Sequence, residues 1–544
     1  MMNTKNNRKV IGAIVVATSF IFILQSCLKD NFELDKLAQT EYSPNLAAPL
    51  VYSSLTIQDI LTNKDATDLI TVDPTKFCTL VYKGNLFTFV ASDLINIPNQ
   101  TPAPYTSTLT AAQALALLPA GATVTISNSQ TINFNSGTNN PHLDSIVFKQ
   151  GDIAVSLNSD FKNNGQIVLT IPSAKKNGVV FSKTLPIVYS GTVPVVVNTN
   201  FDLTGYHFDM TNGGTAYNQF VVNMDISLTG SGIAPAATDK ITFSQSIVNM
   251  KFDKIFGDIG QQQLSPNKDT VELSIFNNAL NTGTFNLVDA KIYVTISNSY
   301  GVPINGTITQ FDGYKPPAAP YAITGNPNPL PISSPTLSQM GQTLSNSYTL
   351  DNSNSNIVSV INNLPNFLIY KINSLTNPSG GSTHSNFVLD SSKFKVDLKV
   401  ELPLYGTAKG FVLVDTLDFN FSNEVNDVEW ALLRAYNSNG FPLDVNLQGY
   451  FVDSLYNKID SIFKIQPLLK SGTLNSLGKV IAPSSTTEDA RFTKAQLINI
   501  QKAKYILIRA KANTANAGTA NVKIYSDYKL DVKLGIQVQL KKKI

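Results

Sequence analysis

Strict alternation of apolar and polar residues is the feature that most restricts the fold of this chain. Residues 292–297, 393–402 and 530–540 alternate in this way. Because successive side chains of a β-strand point to opposite faces, such segments place one face on a core and the other in water. Clusters of Asn, Gly, Pro and Asp separate them, as turns require. Helical patterns are confined to residues 54–61, 110–118 and 493–504. We therefore expect an all-β protein of two or three antiparallel β-sandwich domains in tandem, with a few short helices.

The N-terminus has the pattern of a secretory signal peptide. Lys5, Arg8 and Lys9 precede an apolar run of about fifteen residues, shorter than the ~20 that a membrane-spanning helix needs. The run ends in the tetrapeptide LQSC, closing at Cys27, which resembles a lipobox. The resemblance implies that Cys27 is acylated, and two or three acyl chains form a stable anchor. The alternative is an ordinary secretory signal with a chance cysteine.

The residues that follow Cys27 bear on the destination of the protein. Lys29, Asp30, Glu33 and Asp35 resemble the acidic export signal of Bacteroidota-type outer-membrane lipoproteins. This resemblance implies a palmitate-type lipid anchor in the outer membrane, with the protein at the cell surface or facing the periplasm. Residues 28–48 show no periodic apolar pattern and are expected to form a tether.

The length of the chain implies more than one hydrophobic core, because 544 residues exceed what one compact core usually holds. We expect a signal peptide at residues 1–26, a lipidated tether at 27–48 and a β domain at 49–200. Two sandwich domains follow at 201–345, with a Pro-rich loop at 313–335, and at 346–544, with a basic C-terminal strand. The Pro-rich loop is expected to be an extended spacer, since prolines are excluded from central strands.

Two pairs of similar segments suggest an internal duplication. Residues 290–304 and 429–443 both end in Asn-Ser-x-Gly-x-Pro followed by Ile or Leu. Asn and Gly tolerate positive φ, and Pro has no backbone N–H to donate to a neighbouring strand. Each strand should therefore end at this motif, where the chain changes direction. A strand followed by this motif resembles the late-embryogenesis-abundant type β-sandwich, which implies a sandwich fold and no activity. The second pair sets Thr211 and Asn212 against Thr376 and Asn377.

Charge and cysteine content exclude some classes of function. Without residues 1–26 the chain holds 38 basic and 38 acidic residues, which gives no reason to expect nucleic acid as a partner. Once Cys27 is acylated only Cys78 remains, so no internal disulfide is expected; Cys78 lies in an apolar segment and should be a buried hydrophobe. The last 43 residues are basic, which fits a solvated strand face or contact with lipid phosphates or an acidic partner.

No motif of catalysis, metal binding or cofactor binding stands out. His142, His207 and His384 are scattered, without the clustered ligands of a metal site. Residues 173–176 and 476–479 match Ser-x-x-Lys, but that chemistry needs the Ser at a helix start. Ser173 instead follows a strand and Pro172, so a turn is expected there. Residues 160–165 are expected to form a hairpin turn rather than a calcium loop. Trp430 lies in an apolar strand and is expected in the core. We therefore expect a non-enzymatic protein without cofactor or metal.

Five Asp-(Ser/Thr)-aliphatic triplets resemble the O-glycosylation acceptor motif of exported Bacteroidota proteins. The acceptor hydroxyls would belong to Ser145, Thr270, Thr416, Ser454 and Ser461.

Three functions remain open at this point. The first is an outer-membrane lipoprotein that binds or scaffolds an envelope protein partner. The second is a carrier of a hydrophobic ligand such as a lipid between sheets, which requires an apolar cavity. The third is a surface protein that binds or cleaves glycans, which requires an exposed aromatic cleft and, for cleavage, two carboxylates.

Overall fold

The computed structural model describes residues 41–56, 70–137, 139–264, 269–273, 283–380, 384–419, 427–464 and 468–543. The predicted signal peptide, Cys27 and the predicted tether up to residue 40 lie outside this part of the chain. The prediction of a tether is wrong for residues 41–48, most of which belong to the strands Glu41–Tyr42 and Asn45–Thr56. Of the helix expected at 54–61, residues 54–56 belong to a strand and the others are outside the described residues. The all-β prediction is confirmed, since strands dominate the element order.

Thirty-five strands follow one another along the described chain. The first thirteen are β1 (Glu41–Tyr42), β2 (Asn45–Thr56), β3 (Ile70–Val72), β4 (Cys78–Val90), β5 (Tyr105–Thr108), β6 (Thr123–Asn133), β7 (His142–Ser159), β8 (Asn164–Lys176), β9 (Val179–Ile187), β10 (Val195–Asp202), β11 (His207–Asp209), β12 (Gln219–Thr229) and β13 (Lys240–Asp258). The next ten are β14 (Asp269–Glu272), β15 (Thr284–Leu287), β16 (Lys291–Asn298), β17 (Ile304–Tyr314), β18 (Tyr321–Ala322), β19 (Leu344–Leu350), β20 (Phe367–Thr376), β21 (Asn386–Leu389), β22 (Lys393–Pro403) and β23 (Tyr405–Lys409). The last twelve are β24 (Phe411–Asp418), β25 (Val428–Asn439), β26 (Leu443–Val452), β27 (Lys458–Ser461), β28 (Leu468–Leu469), β29 (Thr473–Leu474), β30 (Val480–Ala482), β31 (Ser484–Thr493), β32 (Tyr505–Thr514), β33 (Val522–Lys523), β34 (Lys529–Leu540) and β35 (Lys542–Lys543).

The described helices are short. They are α1 (Ala91–Leu94), α2 (Ala111–Ala116), α3 (Ile357–Asn362), α4 (Lys494–Ile500) and α5 (Ala515–Gly518), with a 3₁₀ turn at Leu337–Gln339. The helices expected at 110–118 and 493–504 are confirmed as α2 and α4. Both begin with a capping box, in which a Thr and a Gln three residues later satisfy each other's backbone N–H groups.

The sheets form three sandwiches with the same strand order. In the third sandwich, β2–β34–β25–β31 faces β24–β32–β26–β27. The second repeats this plan with β4–β22–β16–β19 and β14–β20–β17–β18. The first repeats it with β5–β13–β7–β10 and β6–β12–β8–β9, its two sheets being joined by β11, which pairs with β7 and β8. The internal duplication suggested by the sequence therefore extends to three units.

The three sandwiches are nested in the chain rather than completed one after another. The first strand of the third sandwich is β2, and its remaining strands begin at β24. Between them lie the second sandwich, opened by β4, and the first, inserted between β4 and β14. The domain bounds expected near 200 and 345 stay predictions; residue 200 lies within β10 and residue 345 within β19.

In all three sandwiches the chain passes from one sheet to the other through a similar bend, which we call the corner. Asn298 accepts a hydrogen bond from the N–H of Tyr300 (2.9 Å), and Asn439 accepts one from Phe441 (2.9 Å). In the first sandwich Ser159 does the same for Phe161 (3.3 Å). Each aromatic residue is buried. The turn at 160–165 is thus the third copy of the corner, where Ser replaces Asn.

The second sequence pair proves not to be equivalent. Thr211 precedes β12, whereas Thr376 is the last residue of β20, the counterpart of β12. The true counterpart of Thr376 is Thr514, which ends β32. Both Thr side chains are buried. The Thr376 hydroxyl donates to the carbonyl of Gly260, which precedes β14, and the Thr514 hydroxyl donates to that of Ala408, which precedes β24. The two segments share an Asn with positive φ in a turn, Asn212 and Asn377, which accounts for their similar sequences.

Burial holds the sandwiches together. One continuous apolar cluster fills the first and second sandwiches, and a separate cluster fills the third. A smaller cluster joins the second sandwich to the third, and consists of Cys78, Leu404, Phe441, Tyr525 and Tyr528. Cys78 is fully buried, as expected, and burial raises the pKa of its thiol. The Pro-rich segment packs on the second sandwich, where Leu330 is buried and the Asn298 amide donates to Ser333.

Candidate functional site

The outer face of the sheet β2–β34–β25–β31 is the strongest candidate for a binding site. Along β25, Ala431 and Ala435 are buried, so the alternate residues Trp430, Arg434 and Tyr436 point away from the core. We call this face the platform. Its aromatic and charged side chains are Tyr52, Trp430, Arg434, Tyr436, Asp489, Arg491, Asp531 and Lys533.

The strand register sets these side chains side by side. Tyr52 pairs with Lys533, which also pairs with Tyr436 on the next strand. Two residues further along, Arg434 pairs with Gly535 on one side and Asp489 on the other. Neighbouring strands lie about 4.8 Å apart, so adjacent residues in one row are in contact range.

Arg434 and Asp489 form a bidentate ion pair at the centre of the platform. The guanidinium Nε donates to Oδ1 of Asp489 (2.7 Å) and Nη2 donates to Oδ2 (2.6 Å). Hydrogen bonds from Arg434 hold the pKa of the Asp489 carboxyl below its usual value, and the same bonds raise the pKa of Arg434. Both side chains are about two-fifths exposed. A partner approaching the platform therefore meets a fixed, planar pair of charges.

Cations lie over two of the platform rings. The Arg491 guanidinium carbon is 4.3 Å from the centre of the Trp430 ring, and Lys533 Nζ is 5.5 Å from that of Tyr52. The Tyr52 hydroxyl donates to Asp531 (3.3 Å). The prediction of Trp430 as a core residue is wrong, because the residue points outward and is only partly buried. The apolar run 430–433 concealed the alternation, and the small inward Ala431 and Ala435 are the signal that could have revealed it.

The composition and size of the platform suit a protein interface. Trp, Tyr and Arg are the residue types that most often dominate binding energy in such interfaces. Four strands of about ten residues give a face of roughly 15 by 30 Å, or about 500 Å². One side of a standard interface buries about 800 Å², so the platform could supply its central part. At the free edge, Pro49 and a bulge interrupt β2, which opposes strand addition there.

Two of the three histidines meet near the start of β7. His384 Nδ1 lies 2.8 Å from Asp144 Oδ2, and the His142 ring stacks on Tyr217 with centres 3.7 Å apart. His142 and Asp144 lie two residues apart and share one side of β7. His207 is exposed in β11. In the part of the chain that the structure describes, no group of three His, Cys, Asp or Glu side chains is arranged to hold a metal ion.

The Ser-x-x-Lys matches lie in different settings. Ser173 lies inside β8 beside a bulge rather than in a turn, so that detail of the prediction is wrong. Ser476 lies in a turn, and Lys479 Nζ is 4.3 Å from the centre of the Tyr525 ring. Neither Ser begins a helix with its Lys one turn later.

The five candidate glycosylation hydroxyls differ in exposure. Thr270, Thr416 and Ser454 are exposed, whereas Ser145 and Ser461 are half-buried. Ser454 lies in a tight turn between β26 and β27, and the other four lie in strands. Cys27 lies outside the described residues.

Two depressions on the surface of the second sandwich are open to solvent. One, of about 610 Å³, is lined mainly by Asn and Ser side chains around α3: Asn286, Asn352, Ser355, Asn356, Val358, Ser359, Asn362 and Asn363. The other, of about 370 Å³, lies between Lys83 and Lys399. Neither is the enclosed apolar cavity that a lipid site needs.

None of the described helices combines the length and apolar character needed to cross a bilayer.

Comparison with protein-family models and with curated proteins gives no match. Among solved structures, the chain is similar to a Parabacteroides distasonis protein provisionally described as secreted: 11% identity over 91% of this chain and 99% of the other, with a TM-score of 0.28. It is also similar to the infectious bursal disease virus Gx strain structure, at 8% identity over 89% and 86% of the two chains and a TM-score of 0.13. The Faustovirus major capsid protein follows, at 8% identity over 96% and 93% and a TM-score of 0.07. Likenesses this weak carry no conclusion about function.

Proposed function

We propose that this chain is a non-enzymatic lipoprotein of the bacterial outer membrane, anchored through Cys27, that uses the platform to bind an envelope protein partner. The observation that carries the proposal is the platform: Trp430, Arg434, Tyr436 and Arg491 are concentrated on one exposed face and held in place by one another. Side chains that are already ordered lose less entropy on binding.

The alternatives receive less support from the same geometry. A sugar ring stacks on a free aromatic face, but cations already lie over Trp430 and Tyr52. A lipid carrier needs an enclosed apolar cavity, whereas the two depressions described above are open to solvent. A protein surface, in contrast, can add hydrogen bonds and aromatic contacts to the ordered charges of the platform.

Affinity purification of the full-length tagged protein from detergent-solubilised envelope tests the partner. The unsubstituted protein should recover one stoichiometric protein, and the double variant Trp430→Ala, Arg434→Ala should lose it. The matched control is Tyr293→Ala with Lys399→Ala, on the equivalent sheet of the second sandwich, which should retain it. Equal recovery by both variants, or recovery of no partner, contradicts the proposal.

Mass spectrometry of the mature N-terminal peptide tests the anchor. The proposal requires diacylglycerol on the Cys27 sulfur, and Cys27→Ser should release the protein from the membrane fraction. A mature N-terminus without acyl chains, at Cys27 or elsewhere, contradicts it.

A further inference from the structure

Both termini of the described chain meet at one end of the third sandwich, which we call the anchor-side end. The N–H of Leu540 donates to the Pro44 carbonyl (3.0 Å), and β1 pairs with β35. The turn at 453–457 and the segment after α4 lie at the same end, since the Lys504 N–H donates to the Val452 carbonyl (2.8 Å). If Cys27 is acylated, the fourteen residues to Glu41 span at most about 50 Å, and they attach the lipid at this end of the sandwich.

The first and second sandwiches are attached at the opposite end of the third sandwich. Thr56 pairs with Lys529 there, and the chain continues into the second sandwich. The junction cluster around Cys78, Phe441 and Tyr528 packs at that end as well. The anchor and the two inserted sandwiches are therefore attached to opposite ends of the third sandwich.

The anchor-side end exposes large apolar side chains. Leu455 is 78% exposed, Tyr456 is 56% exposed and Ile498 is 45% exposed. Ile498 is on α4, which otherwise buries Leu497 and Ile500 in the core. Exposed apolar residues are ordinary on a protein surface, and Leu477 and Ile481 are exposed at the opposite end. What distinguishes Leu455, Tyr456 and Ile498 is that they lie at the end that receives the tether.

The turn that carries Leu455 and Tyr456 is rigid. Asp453 Oδ1 accepts hydrogen bonds from the N–H groups of Leu455 and Asn457 (both 2.8 Å), and Oδ2 accepts one from the Asn457 amide (3.0 Å). Tyr456 has a positive φ of 62° and stacks on Tyr505 with ring centres 5.3 Å apart. The turn thus holds an exposed aliphatic and an aromatic residue in a fixed position.

Charges around these residues are mixed. The exposed lysines at this end are Lys458, Lys494, Lys502, Lys504 and Lys541. The exposed acidic residues are Asp418, Asp427 and Glu429. Apolar insertion, with lysines beside it that can reach phosphate groups, suits a phospholipid surface better than a strongly acidic partner.

We infer that the anchor-side end is a membrane-contacting surface, in which Leu455, Tyr456 and Ile498 enter the headgroup region of the membrane that holds the lipid anchor. The inference rests on the anchor proposed above. It also positions the platform: Trp430 is near this end of β25, and Tyr436 is about 20 Å further along the strand. The partner of the platform would therefore bind close to the lipid surface.

A depth measurement on the full-length, lipidated protein tests the inference. Leu455→Cys is labelled with a nitroxide, and the protein is reconstituted in vesicles of phosphatidylethanolamine and phosphatidylglycerol. The matched control is Leu477→Cys, a leucine of similar exposure (66%) in a turn at the opposite end. Cys78 is buried and should not react. The label at 455 is expected about 5–10 Å inside the headgroup boundary, and the label at 477 in water.

The outcomes separate the inference from the proposed function. Equal access of an aqueous nickel chelate to both labels overturns the inference and leaves the anchor intact. A Cys27 peptide without acyl chains, with protein that does not float with the vesicles, overturns both. A glycan on Ser454 in the native protein would also overturn the inference, because a sugar in this turn would keep Leu455 away from lipid.

Discussion

The second and third sandwiches have equivalent sheets whose outer faces differ. In the second, the outer face of β22 and β16 carries lysine–carboxylate pairs (Lys395 with Asp397, Lys399 with Glu401) and Lys399 lies over Tyr293. Hydroxyl groups pair between β16 and β19, at Thr295 with Ser347 and Ser297 with Ser345. This face satisfies its polar groups with small and charged residues, whereas the platform carries Trp, Tyr and Arg.

The difference teaches that the two faces of a strand are under separate constraints. Inward residues and corners are alike in both sandwiches, because they determine the fold. Outward residues are nearly free of that constraint, since surface changes usually alter stability by less than about 0.5 kcal/mol. The platform carries Trp430, Tyr52, Tyr436 and two arginines, where the counterpart face carries Tyr293 among lysines, carboxylates and hydroxyl groups, and this difference points to binding rather than to stability.

The corner residues should give the largest effect, and the same effect in both sandwiches. Tyr300→Ala and Phe441→Ala each remove a buried ring that follows the corner Asn. We expect a loss of about 3–5 kcal/mol in the free energy of unfolding for each, measured by urea denaturation. The exposed Tyr321→Ala serves as control. An average substitution costs about 1 kcal/mol. A loss below about 1 kcal/mol for only one of the two variants would therefore show that the corners are not equivalent.

Much of the fold could be predicted from the sequence. Alternation revealed the strands, and capping patterns revealed α2 and α4. The motif Asn-Ser-x-Gly-x-Pro located two of the three corners, although the corner residue is its first residue in one copy (Asn298) and its third in the other (Asn439). The third corner was not predicted because Ser159 supplies the accepting side-chain oxygen without the motif. The nested order of the sandwiches was not predicted, because β2 pairs with β34, nearly 500 positions away, and the alternation within a strand does not specify its partner strand.

The platform could be predicted less well. Its charges are spread over four strands, so Arg434 and Asp489 become neighbours only through register. Trp430 was misplaced because residues 430–433 are uniformly apolar, and a short apolar run leaves the outward face undefined.

Trp430→Ala should give the next largest effect, and only on binding. Removing an aromatic ring that a partner buries commonly costs about 2 kcal/mol or more of binding free energy, a factor of about 30 in Kd. Titration calorimetry with the purified partner measures it. Tyr293→Ala, at the equivalent face, is expected to change Kd by less than twofold, within the ~0.4 kcal/mol of a neutral surface change. Similar losses for both variants would remove the functional distinction between the faces.

A substitution at Gly535 tests whether the platform must be flat in order to bind its partner. An added Cβ there would meet nothing closer than the Ala48 carbonyl oxygen, 3.7 Å away, so the fold has room for it. We expect Gly535→Thr to alter the free energy of unfolding by no more than about 0.5 kcal/mol, while the branched side chain weakens binding of the partner. Unfolding by denaturant and titration calorimetry separate the two effects. Unchanged affinity would exclude the middle of the platform from the interface.

The ion pairs of the two faces should give the smallest effect, on the pH dependence of stability. Burial opposes ionisation of Glu401, but hydrogen bonds from Lys399 and Tyr293 lower its pKa overall; hydrogen bonds from Arg434 lower that of Asp489. A carboxyl with a lowered folded pKa stabilises the protein above its unfolded pKa of about 4, and this contribution is lost as pH falls through the folded value. Asp489→Asn and Glu401→Gln should each flatten the decline of stability below about pH 4, without affecting stability between pH 6 and 8 beyond the small change of an exposed pair. Carboxyl NMR titration checks the cause, since Arg434→Met should return the pKa of Asp489 towards its ordinary value and leave that of Glu401 unchanged. If Arg434→Met also moved Glu401, the two faces would be coupled, and the platform could not be treated as a separate surface.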